Sequence, residues 1–226
     1  MNIVRTILAF MIPALADAQI LLTQSGASAY TENFNTWQGT EISIPSGWEL
    51  SAEGDLLFRE TGTGSSNAGG FWAYGSEEAG WSLGQLPTNG TGAMTFGVSF
   101  SNGTAATLSS VTFTWTYEQW RYANNSGLVV AGLGVLDAAD FSGLGLTASG
   151  AGDNGTPTVS PASITLSGLD IAPGEVFGIA WTTVNASGAN SGTAINDFSL
   201  AVIPEPSALA SVLGLFALTL VGLRRR

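Results

Sequence analysis

Apolar and polar residues alternate along much of this chain with a period of two. In "AMTFGVSF", Met94, Phe96, Val98 and Phe100 fall on one side. In "SVTFTWTY", Val111, Phe113, Trp115 and Tyr117 oppose Ser110, Thr112, Thr114 and Thr116. Such alternation predicts strands with one face in a core. The polar stretch "SNGTAATLS" between the two runs predicts a turn, so they are expected to pair as a long antiparallel hairpin. Further strands are predicted at "WELSA", "DLLFRE", "GFWAYG", "LVVAGLGV", "SITLSGL", "VFGIAWTTV" and "AINDFSLAVI". No stretch of the body carries a sustained helical period. About nine or ten strands separated by Gly, Asn, Ser and Pro clusters predict an all-β fold of two packed antiparallel sheets. A jelly-roll-like sandwich is expected, with an immunoglobulin-like sandwich as the alternative. Trp115 and Trp181 lie within alternating strands and are the expected core tryptophans.

Both ends depart from this pattern. Met1 to Arg5 carries one positive charge, Ile7 to Ala16 is a short apolar run, and Ala16-Asp17-Ala18 places small residues where a signal peptidase reads. Residues 1–18 are therefore expected to be an export signal. Ser207 to Leu223 is a run of 17 residues without charge, followed by Arg224, Arg225 and Arg226. That length predicts a membrane helix whose arginines stay on the cytoplasmic side. Pro204-Glu205-Pro206 cannot extend a helix upstream, so it predicts an extended hinge between the body, residues 19–203, and the tail, residues 204–226.

Missing residue types narrow the chemistry. The chain has no cysteine, histidine or lysine. Disulfide staples, Ser-His-Asp and Cys-His nucleophiles, the usual zinc sites and Schiff-base chemistry are thereby excluded. With both ends removed, the body keeps 15 acids and 2 arginines, a net charge of −13. Nucleic acid and anionic lipid need a basic footprint and are not expected partners.

The tail resembles the PEP-CTERM sorting signal, which joins a Pro-Glu-Pro motif, a short transmembrane run and a basic cluster. All three parts occur in that order between Val202 and Arg226. The resemblance implies recognition by an exosortase, an integral-membrane processing enzyme of certain Gram-negative bacteria. It also implies removal of the tail, and release of the body or its attachment to surface polysaccharide. The body resembles the β-sandwich domain of PEP-CTERM proteins of unknown activity, in the blocks Gly69–Leu86, Thr116–Gly127 and Ile171–Ile203. It departs from that pattern at Trp81-Ser82-Leu83-Gly84, where an Ala-Leu-Gly stretch is expected, and at Asn196-Asp197, where two aspartates are expected.

Candidate ligand-binding residues are few. Trp72, Tyr74 and Trp81 lie in a glycine-rich stretch and offer flat rings for stacking on sugars, or else fill the core. Trp120 and Arg121 end a strongly alternating strand, and the arginine fork suits either a carboxylate or sugar hydroxyl, or an internal acid. Arg59, beside Glu60, has the same two readings. No cofactor is required. For calcium, Asp137, Asp140 and Asp153 offer hard oxygen ligands without EF-hand spacing, and Asp197 is retained as a weak metal candidate. A glycosidase needs two carboxylates about 5 to 10 Å apart, and no motif here marks such a pair. The expected protein is exported and non-catalytic, with glycan binding and carboxylate-dependent glycan hydrolysis as alternatives.

Overall fold

The computed structural model describes residues 19–123, 128–136, 141, 155–183 and 190–204. These residues form an all-β sandwich of twelve strands: β1 (Ile20–Leu22), β2 (Gly26–Glu32), β3 (Trp48–Ala52), β4 (Phe58–Gly62), β5 (Gly70–Ser76), β6 (Gly80–Leu86), β7 (Met94–Asn102), β8 (Leu108–Arg121), β9 (Leu128–Gly134), β10 (Thr158–Ile171), β11 (Val176–Thr183) and β12 (Gly192–Pro204). One sheet runs β1-β7-β11-β9, with β3 also on β7. The other runs β10-β8-β12-β6-β5-β4, with β2 also on β12. The expected signal peptide, the apolar tail and Asp137, Asp140 and Asp153 lie outside the described residues. Among the described residues, no helix is long and apolar enough to cross a membrane.

The alternating residues form the core as expected. Met94, Phe96, Val98 and Phe100 of β7 and Val111, Phe113, Trp115 and Tyr117 of β8 are all buried. Trp181 lies at the centre. It stacks on Trp48 and Phe96 at ring-centroid distances of 5.9 and 5.6 Å, and meets Trp115 and Phe198 edge-on at 5.4 and 5.8 Å. Edge-on and offset stacks suit the ring quadrupole, so the cluster gains beyond the area it buries.

Two expectations about pairing are corrected. First, β7 and β8 do not form a hairpin: they lie in opposite sheets, and from β7 to β12 consecutive strands alternate between the sheets. The connection is an arch held by Asn102, which is fully buried. Its amide nitrogen donates to the carbonyls of Ala106 and Ile171, each at 2.9 Å, and its amide oxygen accepts from the Thr104 backbone and hydroxyl. A period of two is the same for strands that pair beside each other and strands that face across a core, so alternation cannot separate the two. Second, the sheets are mixed rather than antiparallel throughout. β1 runs parallel to β7, and β4 parallel to β5. Between β4 and β5 the chain crosses the outer face of the sheet instead of turning back, and the Thr63 carbonyl there accepts from the Gly155 N–H at 2.8 Å. The strands β1, β2 and β6 were not among the expected elements.

The register of the larger sheet defines two poles. β8 and β12 are antiparallel, with Arg121 opposite Gly192 at one end and Leu108 opposite Pro204 at the other. At about 3.3 Å per residue, the 14 residues of β8 separate these poles by about 45 Å.

Candidate functional site

The rings expected to offer a sugar platform are stacked on one another. Trp72 and Tyr74 lie 5.9 Å apart at 11°, and Tyr74 and Trp120 lie 5.7 Å apart at 13°. Tyr74 is the middle ring, with both faces covered. Relative exposures of 9, 2 and 6% for Trp72, Tyr74 and Trp120 leave no open face for a pyranose. With Leu86 and Ala194 they form a second apolar cluster, distinct from the main core. In β5, Phe71 and Ala73 point into the main core and Trp72 and Tyr74 point the other way, so both faces of this strand are buried. Trp81 is half-buried against the main core and does not join the stack.

Two small residues make the stack possible. Gly84 of β6 pairs with Trp72 of β5 and with Ala194 of β12, so the sheet surface beneath the rings is almost bare. A Cβ on Gly84 would come within 2.6 Å of Tyr74 Cε2. The segment after β4 closes the outside. Gly64, at φ +83°, lies so near Trp120 that a Cβ would meet the Trp120 carbonyl carbon at 2.7 Å. The Trp72 indole N–H donates to the Ala68 carbonyl at 3.1 Å. The Trp120 indole N–H donates at 2.7 Å to Glu118, a buried carboxylate that also accepts from Asn196 at 3.4 Å. Burial pushes the Tyr74 phenol well above the ordinary tyrosine range, against the opposing pull of nearby Arg121. Ala194 and Gly64 were not singled out from sequence, and Gly84 and Glu118 stood out there only as members of longer stretches, without a role in holding these rings. Only a cross-strand pairing shows that Gly84 and Ala194 adjoin.

Arg121 takes a different role from the expected acid pairing. Its Nη1 donates to the Ser66 carbonyl at 2.9 Å and to the Asn67 side-chain oxygen. Arg59 likewise donates to a carbonyl, that of Gly69, at 2.9 Å. Arg121 also lines an open cleft of about 460 Å³ with Asn67, Leu86, Pro87, Thr88, Asn89, Gly90 and Asn190. Among the described residues, the walls carry amides, a hydroxyl and two apolar side chains, and Arg121 is the one charged residue. This cleft sits at the Arg121 pole. A second opening, of about 320 Å³, is walled by the glycine, serine and threonine residues 61–66 beside the edges of Trp72 and Tyr74.

Asp197 is exposed, at a bulge where the pairing of β12 with β8 shifts between Asn196 and Ser199. Its φ is +48°, in the left-handed region that aspartate tolerates better than most residues. Its N–H donates to the Asn196 side-chain oxygen at 2.9 Å. Asp197 shares a hollow of about 300 Å³ with Glu32, Thr31, Asn33, Phe198 and Ser199. Among the described residues, no three acidic side chains converge as metal ligands.

No family model and no curated protein matches this chain. Among solved structures, a xylan-binding domain from Paenibacillus barcinonensis is 10% identical with a TM-score of 0.43, covering 81% of this chain and 99% of its own. The adhesin domain of Lys-gingipain from Porphyromonas gingivalis is 14% identical with a TM-score of 0.43, covering 77% of this chain and 99% of its own. The enzymatically active domain of tailspike protein 4 from bacteriophage CBA120 is 14% identical with a TM-score of 0.41. It covers 76% of this chain, which spans only 21% of that protein's length. At such identities and scores the likenesses carry no argument about activity.

Proposed function

We propose that this is an exported, non-catalytic β-sandwich protein, sorted through its PEP-CTERM-like tail to the cell surface or to extracellular polysaccharide. Its body is jelly-roll-like, a reading supported by the strict alternation of β7 to β12 between the two sheets. The observation that carries the functional proposal is the placement of the two ends of β12. The strand finishes with Pro204 opposite Leu108, at the pole remote from the Arg121 cleft. A tail beginning at Pro204, the last residue of β12, would hold the sandwich by one pole and leave the cleft facing away from the membrane. In this reading an exosortase-type enzyme takes the Pro204-Glu205-Pro206 hinge, and residues 1–18 serve export alone.

Processing tests it directly. Glu205→Ala, or replacement of Arg224, Arg225 and Arg226 by serine, should leave export intact but hold the protein unprocessed in the membrane. Mass spectrometry of the exported wild type should find a C-terminus upstream of the arginines. Extracellular protein that still ends at Arg226 would sink the proposal.

Saccharide binding at the cleft is the second reading, favoured by a lone guanidinium among neutral amides in a body of net charge −13. Such a lining suits a polyhydroxylated ligand that carries a carboxylate. On a glycan array the body should prefer uronate-containing chains, and Arg121→Gln should remove that preference. Equal binding by both proteins would exclude the cleft, and turnover of any glycan would instead revive the hydrolase reading.

A further inference from the structure

We infer that the free edge of β10 is a self-association surface, on which a second copy of this chain adds its own β10 in antiparallel register about Ile164. β10 is 14 residues long and pairs on one side with β8. Among the described residues, no strand lies on its other side. Sheet edges of this length are ordinarily blunted by charge, proline, bulges or brevity. β4, the opposite edge of the same sheet, has five residues and carries Arg59 and Glu60. β10 has no charge from Thr158 to Leu169. Its proline and its bulge lie apart, at Pro161 and at Gly168, where φ is +74° and the register with β8 shifts. Ala162 to Ser167 between them is regular, carries neither charge nor proline, and has no neighbour on its outer edge among the described strands.

The outward backbone can be assigned from Pro161. Proline within a sheet places its ring nitrogen toward the free edge, because it has no N–H to give the neighbouring strand. By alternation, Ser163, Thr165 and Ser167 direct their N–H and C=O groups outward. A two-fold axis at Ile164 sets Ser163 of each copy against Thr165 of the other, so that each pair exchanges both backbone bonds. The side chains match themselves in the same register. On the outer face, hydroxyls already run across the sheet, Thr112 to Thr165 at 2.9 Å and Ser110 to the Leu166 carbonyl at 2.9 Å, and Ser163 and Thr165 of the second copy would extend that row. On the inner face, Ala162 and Ile164 are only half-covered by the core, and in the pair Ile164 meets its symmetry mate and Ala162 meets Leu166. Elsewhere the two acidic bodies repel, so a charge-free strand is where contact costs least.

Charge swapping tests the register. Ser163→Glu with Thr165→Glu places like charges opposite each other in the pair, and so does Ser163→Lys with Thr165→Lys. Both residues are exposed, so melting should hardly change. In sedimentation of the full chain in non-ionic detergent, the wild type should dimerise with rising concentration. Each double variant should stay monomeric, and the two mixed should form a heterodimer. Independently, Ile164→Cys in this cysteine-free chain should cross-link to its own copy under mild oxidation, while Val129→Cys, exposed on β9, should not. A wild type that remains monomeric overturns the inference. So do double variants that still self-associate, a mixture that fails to pair although both members melt normally, or equal cross-linking at the two cysteines.

Discussion

Trp181→Ala should lower the unfolding free energy by about 3 to 5 kcal/mol, the range for deleting a large aromatic from a tight core. That is a large share of the stability of an ordinary domain. Trp181 is fully buried and touches four other rings, from both sheets. Collapse around the cavity would have to move Trp48, Phe96, Trp115 and Phe198 together, which each strand's pairing resists. Trp181→Phe separates packing from polarity. Among the described residues the indole N–H has no hydrogen-bond partner, so phenylalanine removes an unsatisfied donor while keeping a ring. It should therefore cost less than half as much as alanine. Denaturant melts of the three proteins decide it, and equal losses for alanine and phenylalanine would mean that the N–H, not the ring, matters.

Gly84→Val should cost about 2 to 3 kcal/mol, through overpacking rather than a cavity. The added side chain enters the space of Tyr74, and that ring cannot swing aside because Trp72 and Trp120 close both its faces. A glycine inside a strand is normally a weak point, and replacing it with a β-branched residue would raise strand propensity. A loss here therefore opposes the local preference and can come only from the outer cluster. In a double-mutant cycle with Tyr74→Ala the two effects should be well below additive, since the second change removes what the first collides with. Additive losses measured by melting would place the strain elsewhere.

Much of this protein is legible in its residues alone. The alternation around Phe96, Phe113 and Trp115 states which face of each strand enters the hydrophobic core, because side chains of a strand point to opposite sides in turn, although in β7 the polar Thr95 and Ser99 of the other face are buried as well. The lack of cysteine, histidine and lysine excludes whole classes of chemistry, since no fold can supply a missing functional group. The order of Pro-Glu-Pro, apolar run and arginines is equally local, whereas the pole at which the tail leaves the sandwich is set by the pairing of Pro204 with Leu108.

Other features depend on which strands become neighbours. Alternation is identical in a hairpin and in two strands facing across a core, so only the tertiary structure separates β7 from β8, with Asn102 pinning the arch. Trp72, Tyr74 and Trp81 look like a ring platform in sequence, and Trp72 and Tyr74 stack with Trp120 instead, because the residues that make room for the stack, Gly84 and Ala194, belong to other strands. Whether Arg121 meets an acid or a carbonyl is settled by the path of residues 63–68 over the sheet. The exposure of β10 is likewise a matter of partners. A strand's own residues specify its faces, but its edges are specified by whatever pairs with it.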